Sequence, residues 1–257
     1  MRLPAAARLA LWEAGNGAGP AERDLALLAA GSPGVDRGTL RGLGIGRRDA
    51  RLLAVYEAVA GGRLHGTVDC GACGETLEVT VEVCDLLGGP AARPDGGPAA
   101  RLDGGPAGEF APSRWTPLDV DGYQLVIRLP DSDDLAAAAA AGHRARDVLA
   151  ARVLRATRDG RPLPVASLPA AVLDAALRAM AESDPLAEPM IATTCPWCAA
   201  PCTTLLDVGA FLWAHVRADA CRLMSDVDTL ARAYGWTEAE ILALSDVRRT
   251  AYLELAR

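Results

Sequence analysis

The spacing of hydrophobic residues changes repeatedly along this chain, and each change marks a predicted element. Short helices separated by glycine-rich turns are expected over residues 4–60, and the clearest covers 47–60, where apolar residues recur at helical spacing. A Gly-Gly pair ends that helix, and apolar and polar residues then alternate from Glu75 to Val83. This two-residue period predicts a half-buried strand. A further apolar stretch over 123–129 predicts another strand.

Helical spacing returns after residue 130. The acidic run from Asp131 to Asp134 can cap an alanine-rich helix, because carboxylates favour the free amides at a helix start. We predict helix from there to about Glu182, with a break at Gly160 to Pro164.

The longest predicted helix runs from Asp207 to Tyr234, where an apolar seam recurs in alternating four- and three-residue steps. Such a seam buries against another helix. Gly235 ends the helix, Thr237 and Glu240 form a capping box for the next one, and Ser245 can cap the last. The seam consists of Leu212, Val216, Ala220, Leu223, Val227, Leu230 and Tyr234.

A tandem repeat separates the two halves of the chain. The stretches GGPAARPD, GGPAARLD and GGPAGEF follow one another between residues 88 and 110. They consist of turn formers and carry no core material, so we expect a disordered linker or surface loop over 88–113.

The composition fits a globular protein that is mainly helical. Hydrophobic residues make up 51% of the chain and aromatic residues only 4%, a balance that favours helices packed through small side chains. Together with the strands, this predicts an α+β, mainly helical fold. The net charge is -7 and the chain contains no Lys. Because phosphate binding requires a basic surface, we expect no nucleic-acid partner.

No segment of the sequence predicts a membrane span or a secretion signal. The longest apolar run, 135–141, is far shorter than the roughly 20 residues that cross a bilayer. Arg8 and Glu13 interrupt the apolar N-terminus. We therefore expect a cytoplasmic protein without membrane contact, in which the seven cysteines stay reduced.

Two Cys-x-x-Cys pairs carry the clearest chemistry in the chain: Cys70 with Cys73, and Cys195 with Cys198. A two-residue spacer lets both sulfurs of a tight turn face one metal, and two such turns complete the tetrahedral site that Zn²⁺ prefers. Both spacers contain a turn former, Gly in the first and Pro in the second. We therefore predict one structural Zn²⁺ bound by all four thiolates.

The surroundings of the two pairs predict a split zinc ribbon. Aligning the pairs places Glu82-Val83 over Asp207-Val208, each at the end of a predicted strand. The predicted segments are an N-terminal helical part (1–66), the first knuckle and strand (67–87), the linker (88–113), a strand with a helical insertion (114–190), the second knuckle (191–208) and C-terminal helices (209–257).

Other residues compete with these four as ligands. Cys202 lies in a turn-like stretch and can replace Cys195 or Cys198. His65, five residues before the first pair, and His215, within the long helix, are further candidates. The spacing alone leaves these alternatives open.

The remaining residues of these types, Cys84, Cys221 and His143, have no predicted role, and we expect both cysteines to be buried as small hydrophobes. Thiol oxidoreductases also use Cys-x-x-Cys, but there the first cysteine begins a helix, whereas a strand follows the pair here. Redox activity, separate disulfides and unliganded thiols remain alternatives to metal binding.

The sequence contains no recognisable active site. A catalytic zinc keeps one position open to water and usually uses His or carboxylate ligands, whereas four thiolates close the shell. The nucleophile-elbow, Walker, dinucleotide-binding and metalloprotease motifs do not occur. We therefore expect a non-enzymatic protein without a small-molecule substrate.

Three stretches in a distinctive order carry a family resemblance. They are GRRDARLL at 46–53 followed by a helix, the first cysteine pair followed by EVTVEV at 78–83, and YGWTEAEILALS at 234–245 followed by Arg248-Arg249 and Tyr252-Leu253. This order resembles the zinc-finger baseplate proteins of contractile-tailed phages and of phage-tail-like contractile injection systems. These proteins are commonly grouped as baseplate hub assembly chaperones.

The resemblance covers about half of the chain in pieces. It implies a protein that binds hub or baseplate subunits during assembly of a contractile particle, either as an assembly factor or as a minor component. The alternative from the residues alone is a zinc-ribbon adaptor in another protein complex.

Overall fold

The computed structural model of this protein describes residues 3–87 and 114–256, so the predicted linker over 88–113 lies outside the described residues. The α-helices in these ranges are α1 (Ala5–Gly15), α2 (Pro20–Gly31), α3 (Arg37–Arg41), α4 (Ile45–Ala60), α5 (Val83–Leu86), α6 (Ser132–Ala140), α7 (Ala145–Val153), α8 (Ala170–Ser183), α9 (Val208–Tyr234), α10 (Glu238–Ala243) and α11 (Asp246–Leu255). The β-strands are β1 (Arg63–Asp69), β2 (Thr76–Glu82), β3 (Thr116–Val120), β4 (Tyr123–Ile127), β5 (Leu154–Arg158), β6 (Arg161–Leu163), β7 (Met190–Thr194) and β8 (Pro201–Leu205). The predicted α+β, mainly helical fold class is confirmed.

The main core lies between the N-terminal helices and α9. Helix α4 presents Leu52, Leu53, Tyr56 and Val59 to this core, and each is at most 2% exposed. Helices α2 and α9 pack on α4, and α1 packs on α2 and α9. Burying each of these side chains contributes about 1.5–3 kcal/mol, so the amphipathic pattern of α4 suffices to position it.

Helix α9 follows the predicted seam over most of its length. Leu212, Val216, Ala220, Leu223 and Leu230 are buried, Val227 is half-buried and Tyr234 is exposed. The capping box of α10 and the Ser245 cap of α11 form as predicted. Every helix in the described ranges is too short or too polar to span a bilayer.

Buried charges join both ends of the chain to α9. Arg8 of α1 is only 4% exposed, and its guanidinium contacts Asp246 of α11 at 2.9 Å and Asp219 of α9 at 3.4 Å. Arg249 of α11, 5% exposed, pairs with Asp226 of α9 at 3.1 Å. A buried guanidinium needs such partners, so the polar residue that interrupts the apolar N-terminus fixes where α1 and α11 pack.

The insertion is a four-stranded antiparallel sheet, in the order β3-β4-β5-β6, covered on one face by helices. Leu125 and Leu154 point from the sheet into a second core, where they meet Val172, Ala176 and Met180 of α8. The insertion reaches the main core at the start of α4, where the amide of Ile45 donates to the carbonyl of Pro130 at 3.0 Å.

The acidic cap predicted at 131–134 forms, and it also organises the insertion. Asp131 and Asp134 make a capping box at the start of α6. Asp134 is fully buried and accepts hydrogen bonds from Arg128 at 3.0 Å and Arg152 at 2.7 Å. Burial by itself would raise the pKa of Asp134, but the two guanidinium groups and the Asp131 amide outweigh it and lower that pKa.

Helix was predicted from 131 to about 182 with a break at Gly160 to Pro164. The helical part is wrong over residues 154–158, which form β5, and β6 pairs with β5 from within the predicted break. Asp159 and Gly160 connect these strands with φ of 50° and 75°, as a two-residue type I′ turn requires. Asp121 and Gly122 join β3 to β4 in the same way, with φ of 49° and 77°. The Asp-Gly dipeptides were the available sequence signal for both hairpins.

The cysteine pairs occupy the turns of two further antiparallel hairpins, β1–β2 and β7–β8. The strand predicted over 75–83 is β2, whereas the sequence did not predict β1 and β7, which precede the pairs. Glu82 and Asp207 are the N-cap residues of α5 and α9, so the aligned residues begin helices in both halves. The split arrangement of the ribbon is therefore present, and the exact segment boundaries stay predictions.

Candidate metal centre

The first cysteine pair lies in a tight turn held by backbone hydrogen bonds. The amide of Cys70 donates to the carbonyl of Glu75, and the amide of Gly74 donates to the carbonyl of Cys70, both at 2.8 Å. Gly74 has a φ of 78°, in the left-handed region that favours glycine. The turn directs both sulfurs of the pair to one side of the hairpin tip.

The second pair repeats this turn 125 positions later. The amide of Cys195 donates to the carbonyl of Ala200, and the amide of Ala199 donates to the carbonyl of Cys195, both at 2.9 Å. Ala199 has a φ of 56°, so an alanine occupies the left-handed position that glycine takes in the first turn. Because the second turn has alanine rather than glycine at this position, the sequence did not reveal that the two turns share one backbone conformation.

The two turns bring their four sulfurs together. All four Sγ atoms lie within 4.8 Å of one another. Sγ of Cys70 is 3.6 Å from Sγ of Cys198, and Sγ of Cys73 is 3.7 Å from Sγ of Cys195. These distances are far beyond the roughly 2.05 Å of a disulfide bond, and the structure contains the four cysteines as free thiols.

The geometry fits a tetrahedral metal site. Four thiolates bound to Zn²⁺ with bonds of about 2.3 Å form a regular tetrahedron with edges of about 3.8 Å. The two measured separations between the hairpins, 3.6 and 3.7 Å, agree with this edge. The other separations are at most 4.8 Å, so the four cysteines could together hold one metal ion.

Backbone amides favour a thiolate at Cys70. The amides of Cys73 and Ala72 donate to its Sγ and lower the pKa of Cys70 to about 6. The amide of Glu75 donates to Sγ of Cys73 and by itself lowers the pKa of that thiol. Partial desolvation beside the other sulfurs and the thiols of Cys70, Cys198 and Cys195 reverse the effect and raise the pKa of Cys73 to about 12.

In the second turn, too, a backbone amide lowers a cysteine pKa while the neighbouring groups raise it. The amide of Ala200 donates to Sγ of Cys198, yet partial desolvation beside the other sulfurs and the thiols of Cys195 and Cys70 raise the pKa of Cys198 overall. Sulfurs this close cannot all be negative without a compensating charge. A divalent cation held by these four cysteines would supply that charge, because metal binding displaces thiol protons.

One side of the four-sulfur group faces the protein and the other faces solvent. Cys70 and Cys195 are 2% and 1% exposed, whereas Cys73 and Cys198 are exposed. The buried pair packs against a small apolar cluster between the hairpins, formed with Val68, Leu77 and Cys202. This separate core holds the two hairpins side by side.

Cys202, the alternative ligand, lies outside the four-sulfur group. It is 6% exposed, and its Sγ is 3.7 Å from the carbonyl oxygen of Ala200. Its equivalent in the first hairpin, 125 positions earlier, is Leu77, which is also buried. Cys202 therefore fills a core position that an aliphatic side chain takes in the other half.

The histidines also lie outside the four-sulfur group. Nδ1 of His65 is 3.1 Å from the hydroxyl of Thr80 on the adjacent strand, and His215 packs edge-on against Tyr56. His143 lies exposed in a short turn between α6 and α7.

The prediction that Cys84 and Cys221 are buried is wrong, because both are exposed. Cys84 falls on the same side of the two-residue alternation as Glu78 and Thr80, which are exposed, and Val83 takes the core position of α5. On α9, Ala220 faces the core and Cys221, one position further, faces solvent.

Comparisons of this chain with models of protein families, with curated proteins and with solved structures find no match. The likeness to baseplate proteins therefore stays a prediction made from motifs. The four-cysteine geometry is the observation on which a functional proposal can be built.

Proposed function

We propose that this protein is a non-enzymatic assembly factor, or a minor baseplate component, of a contractile phage-tail-like particle, and that one Zn²⁺ stabilises its fold. Its partners would be hub or baseplate subunits in the cytoplasm. The observation that carries the structural part of this proposal is the convergence of four sulfurs from hairpins 125 positions apart. The motif order described above supports the assembly part.

The donor set favours a structural metal over a catalytic one. All four members of the cluster are cysteines, and two of them are almost fully buried. A catalytic zinc requires a coordination position for water, and four thiolates leave none. Zinc bound here would supply folding free energy, because the unfolded chain cannot hold the two pairs together.

The same geometry argues against a thiol oxidoreductase. Neither first cysteine begins a helix, since each pair is followed by a strand, β2 or β8. The short sulfur contacts connect the two hairpins, Cys70 with Cys198 and Cys73 with Cys195. A redox pair would instead need its two sulfurs to exchange within one Cys-x-x-Cys turn.

Metal analysis and thermal unfolding test the zinc part of the proposal. The purified protein should contain one equivalent of zinc, and Cys70→Ser and Cys195→Ser should lose it, with a Tm lower by about 10 °C or more. Cys221→Ser, at an exposed cysteine outside the cluster, is the matched control and should retain both metal and Tm. Metal retention in both cluster variants with an unchanged Tm would overturn this part.

Co-expression with the hub and baseplate subunits of the same genome tests the assembly part. A stoichiometric complex with one of these subunits, formed by the zinc-loaded protein, supports it. A stable complex with transcription components instead would establish the adaptor alternative. Insulin reduction at a rate well above background would establish an oxidoreductase.

A further inference from the structure

The two cysteine turns expose their cysteines unequally, and both turns do so in the same way. The first cysteine of each pair is buried, since Cys70 and Cys195 are 2% and 1% exposed. The second cysteine of each pair, Cys73 or Cys198, is exposed. A small molecule in solution can therefore reach one cysteine of each turn, whereas the hairpins shield the other.

Each short sulfur contact between the hairpins joins an exposed cysteine to a buried one. Sγ of the exposed Cys198 lies 3.6 Å from Sγ of the buried Cys70. Sγ of the exposed Cys73 lies 3.7 Å from Sγ of the buried Cys195. The four sulfurs therefore form two cross-hairpin couples, each with one accessible and one shielded member.

An exposed thiolate beside a second thiol has the properties that make a cysteine sensitive to oxidants. Exposure admits the oxidant, and the neighbouring sulfur converts the first oxidation product into a disulfide. Metal binding supplies the thiolate form, because a coordinated cysteine has lost its proton. Cys73 and Cys198 meet these conditions when a metal ion is bound by the four-sulfur group.

We propose that Cys73 and Cys198 are oxidation sites, and that hydrogen peroxide converts the four-sulfur group into two disulfides, one in each cross-hairpin couple, with release of the metal ion. This inference rests on the zinc binding proposed above and not on the role in particle assembly. The oxidised protein keeps its two hairpins joined, by covalent bonds in place of the metal.

Each disulfide consumes two thiolates and one hydrogen peroxide. The exposed thiolate attacks one peroxide oxygen, the O–O bond breaks, and the products are a sulfenic acid and hydroxide. The buried thiolate of the same couple then attacks the sulfenic sulfur, which forms the S–S bond and releases a second hydroxide. The two sulfurs lose two electrons and the peroxide gains them. Once both couples have reacted, no thiolate remains to hold the metal, which leaves as the hydrated ion.

The packing of the hairpins favours disulfides between them. A disulfide bond is about 2.05 Å long, so the sulfurs of each couple must approach by about 1.6 Å from separations of 3.6 and 3.7 Å. Val68 and Leu77 of the first hairpin share an apolar cluster with Cys202 of the second, and β1 contacts β8. These contacts do not involve the metal, so they hold the couples together as it leaves.

The chain contains its own controls for exposure alone. Cys84 and Cys221 are also exposed, but both lie outside the four-sulfur group. Sγ of Cys84 is 3.9 Å from a carboxylate oxygen of Asp85, whose negative charge disfavours a thiolate. We therefore expect no disulfide at either of these cysteines.

Peroxide treatment of the zinc-loaded protein at neutral pH, followed by metal analysis and by peptide mass spectrometry without reduction, tests the proposal. One equivalent of zinc should be released. Trypsin leaves each cysteine pair within a single peptide, because no Arg lies between its two cysteines. The two peptides that contain the pairs should become covalently linked to one another, and fragmentation of the linked product identifies the bonded cysteines.

Thermal unfolding gives a second readout. The oxidised, metal-free protein should have a Tm about 5 °C or more above that of the reduced, metal-free protein, because links between distant segments restrict the unfolded chain. Dithiothreitol and zinc together should restore the starting state. The variant Cys84→Ser/Cys221→Ser is the matched control and should release zinc and form the same linked peptides as the wild type.

A zinc-loaded protein that keeps its metal and its four thiols, at peroxide concentrations that oxidise Cys84 and Cys221, overturns the proposal while the zinc site stands. Disulfides confined to each Cys-x-x-Cys pair overturn it as well. A purified protein without zinc contradicts the proposed function instead. Linked peptides from the oxidised metal-free chain would then still support the two couples, and their absence would overturn them.

Discussion

The backbone amide of Gly46 donates a hydrogen bond of 3.0 Å to the carboxylate of Asp184, which lies 138 positions later in the chain. Gly46 is in the first turn of α4, whose N-cap residue, Gly44, offers no side-chain cap. Asp184 follows α8 and supplies the missing acceptor, so the end of the insertion caps the central helix of the main core. Burial raises the pKa of Asp184, and the Gly46 amide partly offsets that rise.

Gly46→Ala should destabilise the protein by about 1–3 kcal/mol, because a Cβ at this position would overlap the carboxylate of Asp184. Urea denaturation measures the change. Gly62→Ala, where a Cβ meets no atom closer than 3.6 Å and φ lies outside the left-handed region, is the control and should change stability by less than about 0.5 kcal/mol. Adding Asp184→Ala to Gly46→Ala should recover part of the loss, and a fully additive double variant would contradict the overlap.

Ala199→Gly should stabilise the protein by about 0.5–1 kcal/mol, because alanine is strained in the left-handed region and glycine is not. Gly74→Ala, the reciprocal change in the first turn, should destabilise it by a similar amount. No side chain surrounds Gly74 closely, so the effect there is conformational only. Thermal unfolding of both zinc-loaded variants measures the two changes, and shifts of the same sign would contradict the equivalence of the turns.

Cys202→Ala should retain one equivalent of zinc with an affinity within about threefold of the wild type, because its thiol lies outside the four-sulfur group. Loss of the buried side chain should still cost about 1 kcal/mol of stability. Competition with a chromogenic chelator measures the affinity. Cys198→Ala is the comparison and should weaken binding by more than about 100-fold. Equal weakening by both substitutions would make Cys202 a ligand.

Asp49→Asn should change how stability depends on pH. Burial raises the pKa of Asp49 to about 6, although the adjacent Arg48 guanidinium opposes the rise. Below pH about 4 the carboxyl is protonated in both folded and unfolded chains. As pH rises toward about 6, the unfolded chain releases its proton first, so the wild type loses stability that the asparagine variant keeps.

The variant should therefore gain roughly 2–3 kcal/mol relative to the wild type between pH about 4 and about 7. Urea denaturation at several pH values gives this difference. Protonation of the cysteines affects both proteins and cancels in the comparison. Asp133→Asn, at an exposed residue of the insertion, is the matched control for replacing a carboxylate by an amide. A constant difference between Asp49→Asn and the wild type would show that the carboxyl titrates normally.

Local patterns predicted the elements that have one buried face or a defined cap. Helices α4 and α9, strand β2 and the caps at Asp131, Thr237 and Ser245 all follow from residues within one or two turns. Strands β1, β3, β5, β6 and β7 were missed because they alternate weakly or are short, and their register depends on partner strands.

The candidate metal site was likewise predicted in part from the sequence and in part only from the structure. The two-residue spacing identifies Cys70, Cys73, Cys195 and Cys198, because that spacing is a local property of a turn. The exclusion of Cys202 does not follow from spacing, since a turn-like stretch also precedes it. Only the three-dimensional structure shows that Cys202 packs at the position equivalent to Leu77, and is therefore a core residue rather than a ligand.

The sequence alone therefore determined the mainly helical class, the four-cysteine set and the caps, because hydrogen bonding and side-chain periodicity act over a few residues. Tertiary structure alone decided that hairpins 125 positions apart meet through their sulfurs and that Asp184 caps α4. These relationships depend on which distant surfaces pack together, and that outcome is set by the burial of the whole core rather than by any single segment.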